Sequence, residues 1–430
     1  MIHGEDMPSS TGSVQSAPEL KLSPGEVESA VYSGPSRSLF VTQFLSGVVV
    51  TTLGPVLDSV LHDLGIPLAR GGLPALSYFC GIVIGLASLN VFLARVPVKQ
   101  CLLGAVLLEA TGLAAAGVLA KDLWSFAGAY FVVGLPAWVI SGLSGMWISA
   151  HLRDRAAWAL NLIMLSSVSG MTLTPLSIGL LLGQGVDWRT IYLGEAGFAL
   201  LVAVVVSLFP LPDITGRENI RARHARAVIA HNPRLLAAIG ANSFVYLGTE
   251  MSLITWLPKF ETDVFAAGAT WAGLTVTFYF IGQITARLIA IPLTRRLRAS
   301  TLLITAAFLA AGFIAGIAVS PTQTVSLVLV LGSGLGVSAS FSLVGSYSSK
   351  FPLWHAGVVY SFFQLSGGAG SMVFPYLIGP VAASHGFRVA LVVTAVGFLV
   401  MAGLAYCLRL TSGENTRARG PQVRSDSPPN

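Results

Sequence analysis

Twelve apolar runs of 18 residues or more follow one another along this chain, and that recurrence leaves it few ways to fold. At about 1.5 Å per residue, each run is long enough to cross a hydrocarbon layer about 30 Å thick. Inside such a layer every backbone N–H and C=O has to find its partner within the segment, which selects helices. The runs cover roughly 38 to 62, 72 to 94, 100 to 120, 124 to 149, 156 to 184, 189 to 210, 235 to 259, 270 to 294, 299 to 320, 323 to 349, 356 to 385 and 388 to 410. The expected fold class is an all-α integral membrane protein with 12 transmembrane helices.

Composition agrees, since 54% of the 430 residues are hydrophobic and 10% charged, against about 25% charged in an ordinary soluble domain. The polar segments divide the rest. Residues 1–37, rich in Ser, Pro and Gly, read as a disordered tail, and residues 411–430 have the same character. Residues 38–210 and 235–410 form two apolar halves, joined by a basic linker at 211–234. Cys80, Cys101 and Cys407 fall in or beside apolar spans with no metal or redox spacing, so no disulfide framework, metal site or cofactor is expected.

Twelve crossings assign each loop to a side. Of the 25 Lys and Arg residues, nineteen fall on the side that holds both chain ends and five on the other, with Arg287 inside a span. By the positive-inside rule both termini are expected in the cytoplasm. The same assignment places "GRENIRARHARAVIAHNPRL" (216–235) against anionic headgroups and excludes a nucleic-acid partner. The chain has no P-loop, no His-Glu-x-x-His and no nucleophile elbow, so neither an enzyme nor an ATP-driven pump is expected.

The chain also repeats itself at a shift of about 200 residues. "YFCGIVIGLASLNVFLARVPVKQCLL" from residue 78 aligns with "YFIGQITARLIAIPLTRRLRASTLLI" from residue 279, matching Tyr78, Phe79, Gly81 and Arg95 to Tyr279, Phe280, Gly282 and Arg296. "GMTLTPLSIG" from 170 aligns with "GSMVFPYLIG" from 370, followed by Trp188-Arg189 and Phe387-Arg388. Gly134, Leu135, Gly145 and Ser149 match Gly334, Leu335, Gly345 and Ser349, and Gly197-Phe198 matches Gly397-Phe398. Two six-span halves in the same orientation, joined by a long basic loop, resemble the parallel-repeat arrangement of the major facilitator superfamily.

Two stretches narrow that likeness. "FLSGVVVTTLGPVLDSVLHDLGI" from residue 44 and "YLGTEMSLITWLPKF" from residue 246 resemble the first and seventh spans of the fucose permease-like sugar:proton symporters. The resemblance implies a monomeric secondary transporter of the bacterial inner membrane. It would move a small polar, sugar-like substrate by alternating access, with protons as coupling partner. Two features depart from the group: Val48-Val49-Val50 stand where an acid is frequent in the first span, and "GLASLNVFLARVPVK" lacks the acid of the superfamily's usual Gly-x-x-x-Asp-Arg/Lys-x-Gly-Arg/Lys loop.

Ionisable residues at lipid depth cost about 2.5 to 3.5 kcal/mol each on insertion scales, so they tend to face an internal cavity. Glu250 is the foremost candidate here. At about 100° per residue, Asn242, Tyr246, Thr249, Glu250 and Trp256 share an arc of roughly 120°; such a stripe suits hydroxyl-rich ligands, with a flat apolar face for ring stacking. Thr275, Tyr279, Gln283 and Arg287 form a second stripe on the eighth span. Arg287 reads as a gate residue, a ligand for an anion or a structural group, and counting from the expected helix ends sets it about 10 Å deeper than Glu250. Glu109 reads as a structural hydrogen-bonding group and Glu195 as a support for the loop "GVDWR". In the superfamily the first, fourth, seventh and tenth spans line the cavity. Trp138, Asn161, Tyr360 and Gln364 join the candidates. Alternative functions are export of organic anions or amphipathic compounds, and a non-transporting sensor or scaffold.

Overall fold

The computed structural model describes residues 34–93, 95–151, 156–211, 232–294, 297–338, 340–351 and 353–412. Most of the two tails and of the basic linker therefore lies outside the described residues. Those residues form thirteen α-helices: α1 (Gly34–Asp63), α2 (Leu73–Leu93), α3 (Val98–Val118), α4 (Leu123–His151), α5 (Ala156–Gly183), α6 (Trp188–Leu208), α7 (Pro233–Phe265), α8 (Ala269–Thr294), α9 (Ala299–Val319), α10 (Gln323–Val337), α11 (Ser340–Ser346), α12 (Leu353–His385) and α13 (Phe387–Thr411). With α10 and α11 counted together, the described residues form twelve helical segments, consistent with the expected number. Nine of the described helices are long and apolar enough to cross a membrane. α7 carries the charges of Arg234, Glu250, Lys259, Glu261 and Asp263 within its 33 residues.

Two helices run past the apolar pattern, for identifiable reasons. α1 starts at Gly34, one turn before its apolar run, because Gly-Pro-Ser-Arg supplies a polar first turn. α7 begins behind Asn232, whose side chain accepts the Leu235 N–H, with Pro233 in the first turn where no donor is needed. At the other end it continues six residues beyond position 259, so its true end is Phe265. In α3 the residues turned inward are Leu102, Val106, Glu109, Leu113 and Ala116, spaced three and four apart, while Leu107, Leu108 and Val118 stay exposed. Lipid takes the place of water on that outer face, so the two faces differ by residue size more than by polarity.

Helix pairing is the same in both halves. α1 packs on α5 as α7 packs on α12; α2 on α4 as α8 on α10; α3 on α6 as α9 on α13. The repeat extends to single atoms. A Cβ at Gly81 would stand 2.3 Å from the Phe131 carbonyl oxygen, and one at Gly134 would stand 2.0 Å from that of Tyr78. In the second half Gly282 faces the Leu331 oxygen at 2.2 Å and Gly334 the Tyr279 oxygen at 2.1 Å by the same measure. Arg189 donates to the Ala120 carbonyl at the end of α3, and Arg388 to the Ala318 and Ser320 carbonyls at the end of α9.

The halves meet through α2 with α12, α5 with α8, and α1 with α7. The face away from the chain ends is here called distal, the other proximal. Close contacts between the halves lie from mid-depth to the distal face. Gly72 abuts Pro375, and Gly273 abuts Pro175, the equivalent pair with the halves exchanged. Thr277 donates to the Thr172 carbonyl at 2.9 Å. Toward the proximal face, α8 exposes Thr285, Arg287, Leu288 and Ile289, and α12 exposes Tyr360, Ser361, Phe362 and Leu365. At about 100° per residue the α12 positions span an arc of about 200°. Among the described residues the close contacts between the halves therefore concentrate distally, beside a cavity of about 300 Å³ lined by Pro55, Asp58, Leu182, Pro258, Thr262 and Ala269.

Candidate functional site

Glu250 lies near the middle of α7, seventeen residues after Pro233 and fifteen before Phe265. Only 6% of it is exposed. Its Oε1 accepts a hydrogen bond from Gln283 Nε2 at 2.6 Å and from the Tyr279 hydroxyl at 3.3 Å, both on α8. The Tyr246 hydroxyl, one turn back on α7, donates to the same carboxyl group. Tyr246, Tyr279 and Gln283 are all buried. The two polar stripes of α7 and α8 thus meet at Glu250, which is surrounded by neutral donors. The main-chain carbonyl of Gln283 accepts the Ser338 hydroxyl at 2.6 Å.

Arg287 is one turn proximal to Gln283 and exposed. Because α7 ends at Phe265, Glu250 lies fifteen residues from the distal end of its helix and Arg287 eighteen from that of α8. The depth difference shrinks from the expected 10 Å to about 4 to 5 Å at 1.5 Å per residue. No ion pair joins them among the described residues, yet the Arg287 charge acts on the Glu250 carboxyl through space.

The remaining candidates go elsewhere. Asn242 donates to the Met401 carbonyl on α13 at 3.3 Å, and its Oδ1 is buried with no hydrogen-bond partner. Thr249 bonds the Val245 and Tyr246 carbonyls of its own helix, and its methyl group is what a Cβ at Gly397 of α13 would meet. Trp256 donates to the Pro375 carbonyl at 2.8 Å and packs on Phe387, Gly71 and Gly379, among the distal contacts. Thr275 is buried, its hydroxyl on the Trp271 carbonyl. Trp138 of α4 faces Gly368 of α12, across the two halves. Tyr360 is exposed and packs on Phe363; the Oε1 of Gln364 is buried without a partner. The Asn161 side chain lies outside the described residues. Glu195 does not serve the "GVDWR" loop: it accepts the Thr52 hydroxyl of α1 at 2.6 Å, while Trp188 and Arg189 of that loop bind Asp63.

One cluster escaped the sequence reading. Lys259 of α7 bridges Asp58 of α1 at 2.6 Å and Asp263 at 2.5 Å, an ionic tie between the halves at the distal face. The i, i+4 spacing of Lys259 and Asp263 was the available signal; nothing local announces Asp58. Deeper in, Ser326 of α10 donates to Glu261 at 2.5 Å.

The sequence profile of the Major Facilitator Superfamily matches residues 39–275 and 262–428. The chain is 24% identical over 368 residues to the Protein TsgA homolog of Erwinia tasmaniensis, covering 83% of this chain and 89% of that one. It is 23% identical over 378 residues to the Multidrug resistance protein MdtG of Salmonella paratyphi C, covering 84% and 92%. Among solved structures, the nucleoside transporter NupG superposes with a TM-score of 0.72 at 14% identity, covering 87% of this chain and 98% of that one. The E. coli fucose:proton symporter FucP superposes with a TM-score of 0.61 at 17% identity, covering 87% and 98%. Paired six-helix halves, reciprocal contacts between them and a profile match along nearly all of the described residues agree: this chain is an integral membrane transporter of the Major Facilitator Superfamily.

Proposed function

We propose that this transporter moves a small polar, sugar-like solute by alternating access, coupled to protons through Glu250. The observation that carries this reading is the Glu250 carboxyl at mid-depth, held by Tyr246, Tyr279 and Gln283 with no ion pair among the described residues. Neutral donors orient a carboxyl group without cancelling its charge, so that charge is free to change with hydration. In the proposed cycle Glu250 carries a proton while shielded and yields it when a face opens to water. The hydroxyl and amide groups beside it also suit a hydroxylated ligand. Both chain ends and the 211–234 linker are assigned to the cytoplasm, in a bacterial inner membrane, on the distribution of Lys and Arg.

A second reading is export of organic anions or amphipathic compounds. The exposed Arg287, with no ion pair among the described residues, favours it, as does similarity to a protein named for multidrug resistance. Purified protein screened for thermal stabilisation by sugars, nucleosides, sugar acids and simple organic acids tests both, because a ligand that binds the folded state raises apparent stability by RT ln(1 + [L]/Kd). Neutral sugars or nucleosides are expected to stabilise. Stabilisation by organic anions alone, lost in Arg287→Lys, contradicts the sugar-like reading and supports the second.

A further inference from the structure

A second carboxyl site lies in the first half, unused by anything described so far. Glu109, at the middle of α3, is fully buried, and neither of its oxygens has a hydrogen-bond partner among the described residues. Glu195 of α6, 8% exposed, spends Oε1 on the Thr52 hydroxyl and leaves Oε2 buried and unpartnered. The Glu195 charge acts on Glu109, and the helices that carry them, α3 and α6, pack together. Around them stand the buried tyrosines 78 of α2, 130 of α4 and 192 of α6, the last two joined by a hydrogen bond between their hydroxyls. Tyr78 feels Glu109, and Tyr130 and Tyr192 feel Glu195; no basic side chain acts on either carboxyl group.

From this geometry we infer that Glu109 and Glu195 form a proton-binding site of their own, separate from Glu250. Two carboxyl groups buried on the packed helices α3 and α6, with three oxygens unpaired among the described residues and no cation, would bear as carboxylates an uncompensated charge that the protein interior does not tolerate. A proton resolves this with a single bond, neutralising the carboxyl group that takes it. A metal cation would need several oxygens at once, and among the described residues no third acidic, histidine or cysteine ligand joins the pair. The site lies between mid-depth and the distal face. Glu195 lies seven residues and Thr52 eleven from the distal ends of their helices. A narrow cavity lined by Val50, Leu53, Tyr78 and Tyr130 separates that region from Met251 and Thr255 of α7.

Infrared difference spectroscopy of the purified, substrate-free protein at neutral pH tests the inference whether or not Glu250 couples transport. In a Glu250→Gln, Glu261→Gln background, a carbonyl band of protonated carboxylic acid, shifted in heavy water, is expected. Adding Glu109→Gln and Glu195→Gln should abolish it. Absence of the band from that background, or its persistence after all four changes, overturns the proposal. Should the fourfold variant not fold, Glu109→Gln alone must weaken the band of the wild-type chain, and an unchanged band overturns the proposal equally. Thermal stabilisation by sodium over choline chloride, present in the double background and lost with Glu109 and Glu195, identifies a sodium site and overturns the proton.

Discussion

Gln283 approaches Glu250 more closely than Tyr279 does, and it is the residue on which the geometry of the carboxyl group depends most. Replacing it with Leu removes a donor from a buried polar group, a change worth about 1 to 3 kcal/mol. The melting temperature of Gln283→Leu should therefore fall, while Gln283→Glu should restore transport only in part, since a second carboxyl group brings no obligatory donor. Equal melting of wild type and Gln283→Leu would deny the hydrogen bond its importance. For Arg287, exposed and without an ion pair among the described residues, Arg287→Lys is expected to leave substrate affinity little changed and to slow turnover. A two-pronged bond to an anionic ligand would instead cost about 1.5 to 3 kcal/mol, on the order of tenfold or more in Kd. The sequence made Glu250 and the polar stripe of α8 visible, because charge at lipid depth is costly. It did not reveal which members meet. Asn242 and Thr249 share an arc with Glu250 but turn to α13, since a 120° arc on one helix touches two neighbours and only the packing decides which residue faces which.

At the scale of helices, the repeat was legible because glycines at helix crossings cannot move without separating backbones. The sequence aligned Gly81 with Gly282 and Gly134 with Gly334, and in the structure Gly81 with Gly134 and Gly282 with Gly334 mark crossings of equivalent helices. Helix ends were less legible: α7 was expected to stop at the Lys259 region, yet Lys259, Glu261 and Asp263 continue as helix because each has a partner in the folded bundle. The distal contacts between halves yield a further prediction. A Cβ at Gly273 would stand 2.1 Å from the Pro175 carbonyl oxygen, and one at Gly72 2.6 Å from that of Pro375. Gly273→Val should open the distal face, with overpacking of about 1 to 3 kcal/mol shifting the balance of states by about 5- to 150-fold. Distances between spin labels on Ser59 and Ala267 should lengthen. An unchanged distribution in a folded Gly273→Val protein would show that the contact does not hold the closed state.

Over the whole molecule, the tie from Lys259 to Asp58 joins the halves on the distal side. Asp58 is 48% exposed, so the pair is worth about 0 to 1 kcal/mol and weakens in salt. Asp58→Asn should raise distal labelling by no more than about fivefold, and added salt should reproduce part of that rise in the wild-type protein. Orientation is checked by labelling a cysteine at position 225: the Lys and Arg distribution predicts protection from outside reagents, and labelling from outside contradicts it. In the proposed cycle the closed and open states exchange around Glu250 with a proton aboard. This coupling is tested most directly in proteoliposomes holding Glu250→Gln, which copies the neutral carboxyl group in shape and hydrogen bonding, with a solute found in the stabilisation screen. This variant is expected to bind the solute and exchange it across the membrane at near wild-type rates, but no longer to accumulate it against a gradient when a pH difference is imposed. Full pH-driven accumulation by Glu250→Gln would contradict proton coupling through Glu250.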